Sequence, residues 1–186
     1  MKGTSAASLA FGLFLILPVT FGGAHQAKAW TLDRYTDPIT GTRDVGIYQK
    51  SIQTDDVAGD YAKFAVSCVG GIPSIVILLN QDLGQGTVSV SMTWPGQSPD
   101  EEDYDTIDSD LGVYIYDGIT NPSPALFTDL LTLIDGSSID TGSGTILKVI
   151  VYPTDEAPIN VSFNLTGFED AYEPVGDDCN IPIPTS

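Results

Sequence analysis

Histidine is almost absent from this chain: His25 is the only one in 186 residues. It falls inside an N-terminal stretch that reads as an export signal, so residues 30–186 contain none. Without an imidazole, neither a Ser-His-Asp nor a Cys-His mechanism can operate. The usual ligand for catalytic zinc, iron or copper is missing with it. Cations are nearly as scarce. Seven Lys and Arg stand against 25 Asp and Glu, a formal charge of −18 at pH 7. Such a surface repels nucleic acid and anionic lipid headgroups, which need positive patches, and it favours solubility. Long apolar runs are absent beyond the one between Leu9 and Phe21. Together these absences weigh against an enzyme and against a nucleic-acid partner.

The run from Leu9 to Phe21, interrupted by Pro18, follows one early cation, Lys2, and precedes Ala27-Lys28-Ala29, a small-x-small cleavage site. It is too short and poorly flanked to span a bilayer, and no cysteine lies near it for lipid attachment. The pattern predicts a signal peptide over residues 1–29 with cleavage after Ala29. The protein is then expected in the periplasm or secreted, without a membrane anchor. Cleavage removes Lys2 and Lys28 but no acid, leaving five cations against 25 anions. Residues 30–186 are long enough to bury a core of their own as a single domain.

Cys68 and Cys179 are the only cysteines. An even pair in an oxidising compartment reads as a disulfide. Cys68 shares a face with Phe64 and Val66 in AKFAVSCV, so its sulfur should point inward. The bridge would close a loop of roughly 110 residues, which the chain-entropy argument values at ~4–5 kcal/mol. Neither cysteine has a histidine or lysine beside it, which disfavours a nucleophile or a metal ligand.

Apolar or alternating segments recur at Val45–Ser51, Ala62–Val69, Ser74–Asn80, Thr87–Trp94, Gly112–Tyr116, Thr145–Tyr152 and Ile159–Leu165. Most are bounded by Gly, Pro, Asn or Asp, as strands of an antiparallel system are. Ile75–Leu79 is continuously apolar, which predicts a strand covered on both faces. Two helices are expected. Ser123 and Pro124 suit the N-cap and first position of one, with Phe127, Leu130, Leu131 and Ile134 as its stripe and Gly136 as its stop. In the other, Thr166 and Glu169 stand at capping-box spacing ahead of Phe168, Ala171, Tyr172 and Val175, and Pro174 should kink or stop it. Gly136–Gly144 reads as a flexible loop. The fold class is therefore mainly β: an antiparallel β-sandwich or partly open barrel with two short helices, with α+β as the alternative.

The stretch Val161–Cys179, VSFNLTGFEDAYEPVGDDC, sets an alternating strand, a helix start and a cysteine directly after one another. It resembles the C-terminal signature of the TagO/VasI family of type VI secretion-associated periplasmic proteins. DLGVYIYDG (Asp110–Gly118), SPALFTDLLTLIDG (Ser123–Gly136) and WTLDRYTDPITGTRDV (Trp30–Val45) are similar to further family segments. The likeness is densest from about Thr145 to Cys179, whereas Gly86–Asp110 departs from the family with an acidic loop. The resemblance implies an exported, non-catalytic accessory protein that contacts envelope or secretion-apparatus proteins. It brings no catalytic residues.

That acidic loop holds Asp100, Glu101, Glu102, Asp103, Asp105, Asp108 and Asp110. Crowded carboxylates repel, and a hard cation with oxygen ligands could relieve the repulsion. Asp103, Asp105, Asp108 and Asp110 are the candidate calcium ligands, although no EF-hand register fits. A secreted calcium- or ligand-binding module is accordingly the alternative reading. Carboxylate pairs could also serve a glycosidase, but any acidic chain offers them. Trp30, Trp94, Tyr114 and Tyr116 could form a sugar platform or, equally, fill a core. No cofactor other than calcium is suggested.

Overall fold

The computed structural model describes residues 30–36, 38, 40–54, 62–79, 81–84, 86–107, 111–138 and 145–182. The expected signal peptide over 1–29 and its cleavage point after Ala29 lie outside the described residues, as do Asp108 and Asp110. In chain order the elements are β1 Thr31–Thr36, β2 Arg43–Lys50, β3 Gln53–Thr54, β4 Lys63–Val69, β5 Ile72–Leu78, β6 Thr87–Thr93, β7 Asp100–Asp105 and β8 Gly112–Asp117. Helix α1 (Pro124–Ser138), β9 (Ile146–Tyr152), β10 (Ile159–Asn164) and α2 (Phe168–Cys179) complete them. One sheet runs β1-β2-β4-β5-β8 and the other β3-β10-β9-β6-β7, with every pairing antiparallel. This is a β-sandwich with two helices, as the turn-bounded alternation predicts.

Each sheet buries one face because apolar residues recur with period two along its strands. Phe64, Val66, Ile75 and Ile77 face Val90, Val149, Val161 and Phe163 across the core, all at or below 1 % exposure. The Phe64 and Phe163 rings meet between the sheets at 5.8 Å. A bridge between Thr106 and Val113 ties the sheets together at the β7–β8 corner. Gly112 is required where β8 starts, because a Cβ there would collide with the Ile77 carbonyl.

All seven expected strands form, but three more appear. β1 is exposed along its whole length, β3 is two residues long, and β7 is built from the acidic DEEDYD. The acidic segment is thus a strand over Asp100–Asp105 and not a loop there. β5 is covered on one face only: Ile75 and Ile77 are buried while Val76 and Leu78 are half-exposed, so double coverage was not realised.

The helices depart from expectation at their ends. α1 starts as read, with the Leu126 amide donating to Ser123 Oγ at 3.3 Å. It continues past Gly136 to Ser138, so the first residues of the expected flexible loop belong to the helix. α2 lacks the capping box. Its N-cap is Gly167, at φ 77°, with no side-chain cap bond. The left-handed turn, which glycine adopts without penalty, swings the Thr166 hydroxyl onto Thr145 Oγ1 at 2.8 Å. Pro174 does not end α2, which runs on to Cys179. The proline removes only the amide that would bond to Asp170, and exposed Asp170 leaves that carbonyl near water.

Candidate functional site

β7 is the outermost strand of its sheet and pairs with β6. Register sets Asp100, Glu102 and Tyr104 opposite Met92, Val90 and Val88, on the core side of the sheet edge. Glu101, Asp103 and Asp105 lie on the other side, opposite Ser91, Ser89 and Thr87. The strand period therefore divides the carboxylates between two faces. Neighbours on one face stand about 6.8 Å apart along the strand, two residues' rise, whereas a calcium ion gathers its oxygens at about 2.3–2.6 Å. Asp103 and Asp105 are brought to one face without converging, and no three carboxylates among the described residues are grouped to hold a metal. Glu101 accepts the Ser89 hydroxyl at 3.0 Å. Glu102 accepts that of Tyr104 at 3.1 Å. Burial, the Glu102 charge and that hydrogen bond push the Tyr104 phenol well above its ordinary pKa.

A hollow of ≈300 Å³ lies among β7, β8 and the start of α1, with Tyr104, Tyr114 and Asp117 in its lining. Asp117 is one of the acids lining the hollow, but its carboxylate is engaged in a turn. It accepts the Ile119 amide at 2.9 Å, the Thr120 amide at 3.3 Å and the Thr120 hydroxyl at 2.8 Å. A carboxylate so engaged is poorly placed to exchange protons with a substrate. The candidate sugar platform is scattered. Trp94 and Tyr116 are buried, and Trp30 packs against Phe64 and Phe168 at 6.1 and 5.4 Å. Tyr116 lies against Phe127 at 5.0 Å, and its hydroxyl donates to the Ser123 carbonyl. Trp94 and Tyr116 are core, Trp30 is partly buried against it, and Tyr114 stays half-exposed in the hollow.

Cys68 and Cys179 are bonded, with Cα atoms 5.7 Å apart and a sequence separation of 111. Cys68 is the inward residue near the end of β4, opposite Val45 of β2. Cys179 is the last residue of α2, so the bond pins that helix to the first sheet. Phe168, Tyr172 and Val175 bury the helix stripe at or below 1 % exposure. Tyr172 donates its hydroxyl to the Ile181 carbonyl at 2.9 Å, fixing the chain beyond the helix.

Compared with known proteins, the chain matches no family model, no curated protein and no solved structure.

The feature that sequence reading passed over is the free edge of β1. Every residue of TLDRYT is exposed, with Leu32 at 42 % and Tyr35 at 59 %. Asp33 and Arg34 are its two charges, and among the described residues only β2 is bonded to it. Such an edge presents a row of unpaired backbone donors and acceptors. β7, the opposite extreme of the sandwich, carries carboxylates on both faces, which oppose strand addition. A short turn-bounded stretch leading into β2 was the only available signal for β1.

Proposed function

We propose that residues 30–186 are an exported, non-enzymatic contact module of the TagO/VasI kind, which takes a strand of an envelope protein onto β1. The observation that carries this reading is the exposed β1 edge on a disulfide-pinned body. Main-chain bonds along such an edge supply affinity, while alternate side chains supply selectivity. A rigid scaffold lowers the ordering cost of the contact.

Self-pairing along β1 is disfavoured, which supports a different protein as the partner. Two antiparallel strands related by a twofold axis oppose residues of the same face. The two registers of greatest overlap centre on Asp33 or on Arg34, and each sets a charge against its own copy. The strand-helix-cysteine run that resembles the family folds as β10, α2 and a bonded Cys179, in keeping with a common design.

The test is a pull-down from the envelope fraction with residues 30–186 as bait, using Leu32→Pro and Asp33→Pro as separate variants. Adjacent strand amides point to opposite sides, so one of the two prolines removes a free-edge donor without touching the β2 ladder. The expected result is retention of a secretion-apparatus envelope protein that this proline abolishes without lowering the melting midpoint. Retention of no envelope protein, or retention indifferent to both prolines, overturns the reading.

A further inference from the structure

Arg34 pairs with Val45 and Thr36 with Arg43, so the two arginines are diagonal neighbours on one face of the β1–β2 ribbon. That face looks onto the second half of α2. A cleft of ≈510 Å³ opens between them, lined by Arg34, Thr36, Arg43, Pro174, Asp177 and Asp178. Among the described residues neither guanidinium has an ion-pair partner, in a chain where acids outnumber bases more than threefold. Among the described residues the Asp177 and Asp178 carboxylates likewise have no ion-pair partner. They occupy the last turn of α2, where no cation stands and where the aligned peptide dipoles disfavour a carboxylate. Cations on one wall and anions on the other thus face each other without meeting.

The cleft is held open by a covalent clamp at its base. Val45, which also lines it, pairs with Cys68, and Cys179 directly follows Asp178. Asp44 also lines the cleft and raises the acids to three against two arginines, which disfavours a simple anion. The two opposed walls suit a molecule that carries both charges.

We propose that this cleft binds a zwitterion with a primary ammonium group, a free amino acid or a short peptide. The ligand carboxylate lies on Arg34 and Arg43, whose planar forks match it with parallel hydrogen bonds. Its ammonium donates to Asp177 and Asp178. The cleft volume falls in the range of small-molecule sites. The cleft takes Arg34 and Thr36 from β1 but lies on a face of that strand, and it does not depend on the partner proposed for the strand's edge.

Isothermal titration of residues 30–186, disulfide intact and at low ionic strength, tests the proposal with glycine, glycylglycine and triglycine. Acetate and methylammonium supply the single charges, and glycine betaine supplies a zwitterion without ammonium hydrogens. Saturable binding of at least one glycine species is expected, with the three controls weaker by about tenfold or more. Glycine against the peptides distinguishes a free amino acid from a peptide ligand. The double variants Arg34→Ala/Arg43→Ala and Asp177→Asn/Asp178→Asn should each weaken binding by about tenfold or more without moving the thermal midpoint. No saturable binding of any glycine species, acetate binding as tightly as they do, or binding unchanged in both double variants overturns the proposal. If a double variant fails to fold, the ligand comparison on the unsubstituted protein decides.

Discussion

Trp30 joins the start of the sandwich to the start of α2: its indole Nε1 donates to the Thr166 carbonyl at 3.2 Å while its ring meets Phe168 edge-on at 5.4 Å. The residue just ahead of β1 is thereby anchored to Thr166, which leads into α2 and lies 136 positions away. Trp30→Ala removes the hydrogen bond and two edge contacts, and a loss of about 2–4 kcal/mol is expected, toward the lower end because the indole is only half-buried. Denaturant unfolding monitored by far-ultraviolet circular dichroism reads the change, with Trp30→Phe as the milder companion. A loss below about 0.5 kcal/mol, the size of an ordinary surface substitution, refutes the anchoring role.

The Cys68–Cys179 bond closes a long loop, and its removal should cost ~4–5 kcal/mol by the chain-entropy argument. That is comparable to the whole net stability of a small domain. The Cys68→Ser/Cys179→Ser protein is therefore expected to unfold at a much lower denaturant concentration than the oxidised parent. Reductant should bring the parent to the same midpoint and leave the variant unmoved. Equal midpoints for oxidised parent and variant contradict the assignment of stability to this bond.

Alkaline pH should destabilise the fold through tyrosine. Burial pushes the Tyr172 phenol above its ordinary value, and Tyr104 is raised by burial and by Glu102. In the unfolded chain these phenols ionise near pH ~10. Below that pH both states hold the proton and stability is unaffected. As pH rises past it the unfolded state loses protons first, so stability falls up to the folded-state pKa. Absorbance at the tyrosinate band should show at least two phenols that ionise only with unfolding, and Tyr172→Phe should lessen the slope. Full tyrosine ionisation at high pH with native circular dichroism intact would count against this.

Calcium should leave the thermal midpoint unchanged, because β7 divides its carboxylates between two faces. Melts with excess calcium and with chelator are the measurement. An upward shift of several degrees with calcium, lost in Asp103→Asn/Asp105→Asn, would show that the acidic segment gathers an ion after all.

The strands legible in the sequence are those with a buried face. β6 alternates Val88, Val90 and Met92 with smaller polar residues, and β10 alternates Val161 and Phe163 with Ser162 and Asn164. β1 and β7 carry no such signal, since β1 buries nothing and β7 only half-buries Tyr104. Their strand character comes from the neighbour that each pairs with, β2 or β6, and local propensity would not have placed them. The missing capping box has the same origin. Thr166 answers to Thr145, a partner 21 positions back that no local window contains.

The disulfide was legible from two cysteines and an export pattern. The arginine-aspartate cleft was not, because Arg34 and Arg43 come to face Asp177 and Asp178 only when α2 packs back onto β2. Pro174 misled for a related reason. Its local cost is real, but the buried Phe168, Tyr172 and Val175 and the covalent end of the helix outweigh it.

The bond across 111 positions also makes most of the folded chain a ring in the covalent sense. A protease that cuts an exposed connection such as Thr154–Pro158 opens that ring without releasing a fragment. The two pieces stay tethered through sulfur, and the β9–β10 ladder keeps the new ends side by side. Outside a cell, where hydrolases are common and resynthesis is impossible, a nicked molecule of this design can keep its shape.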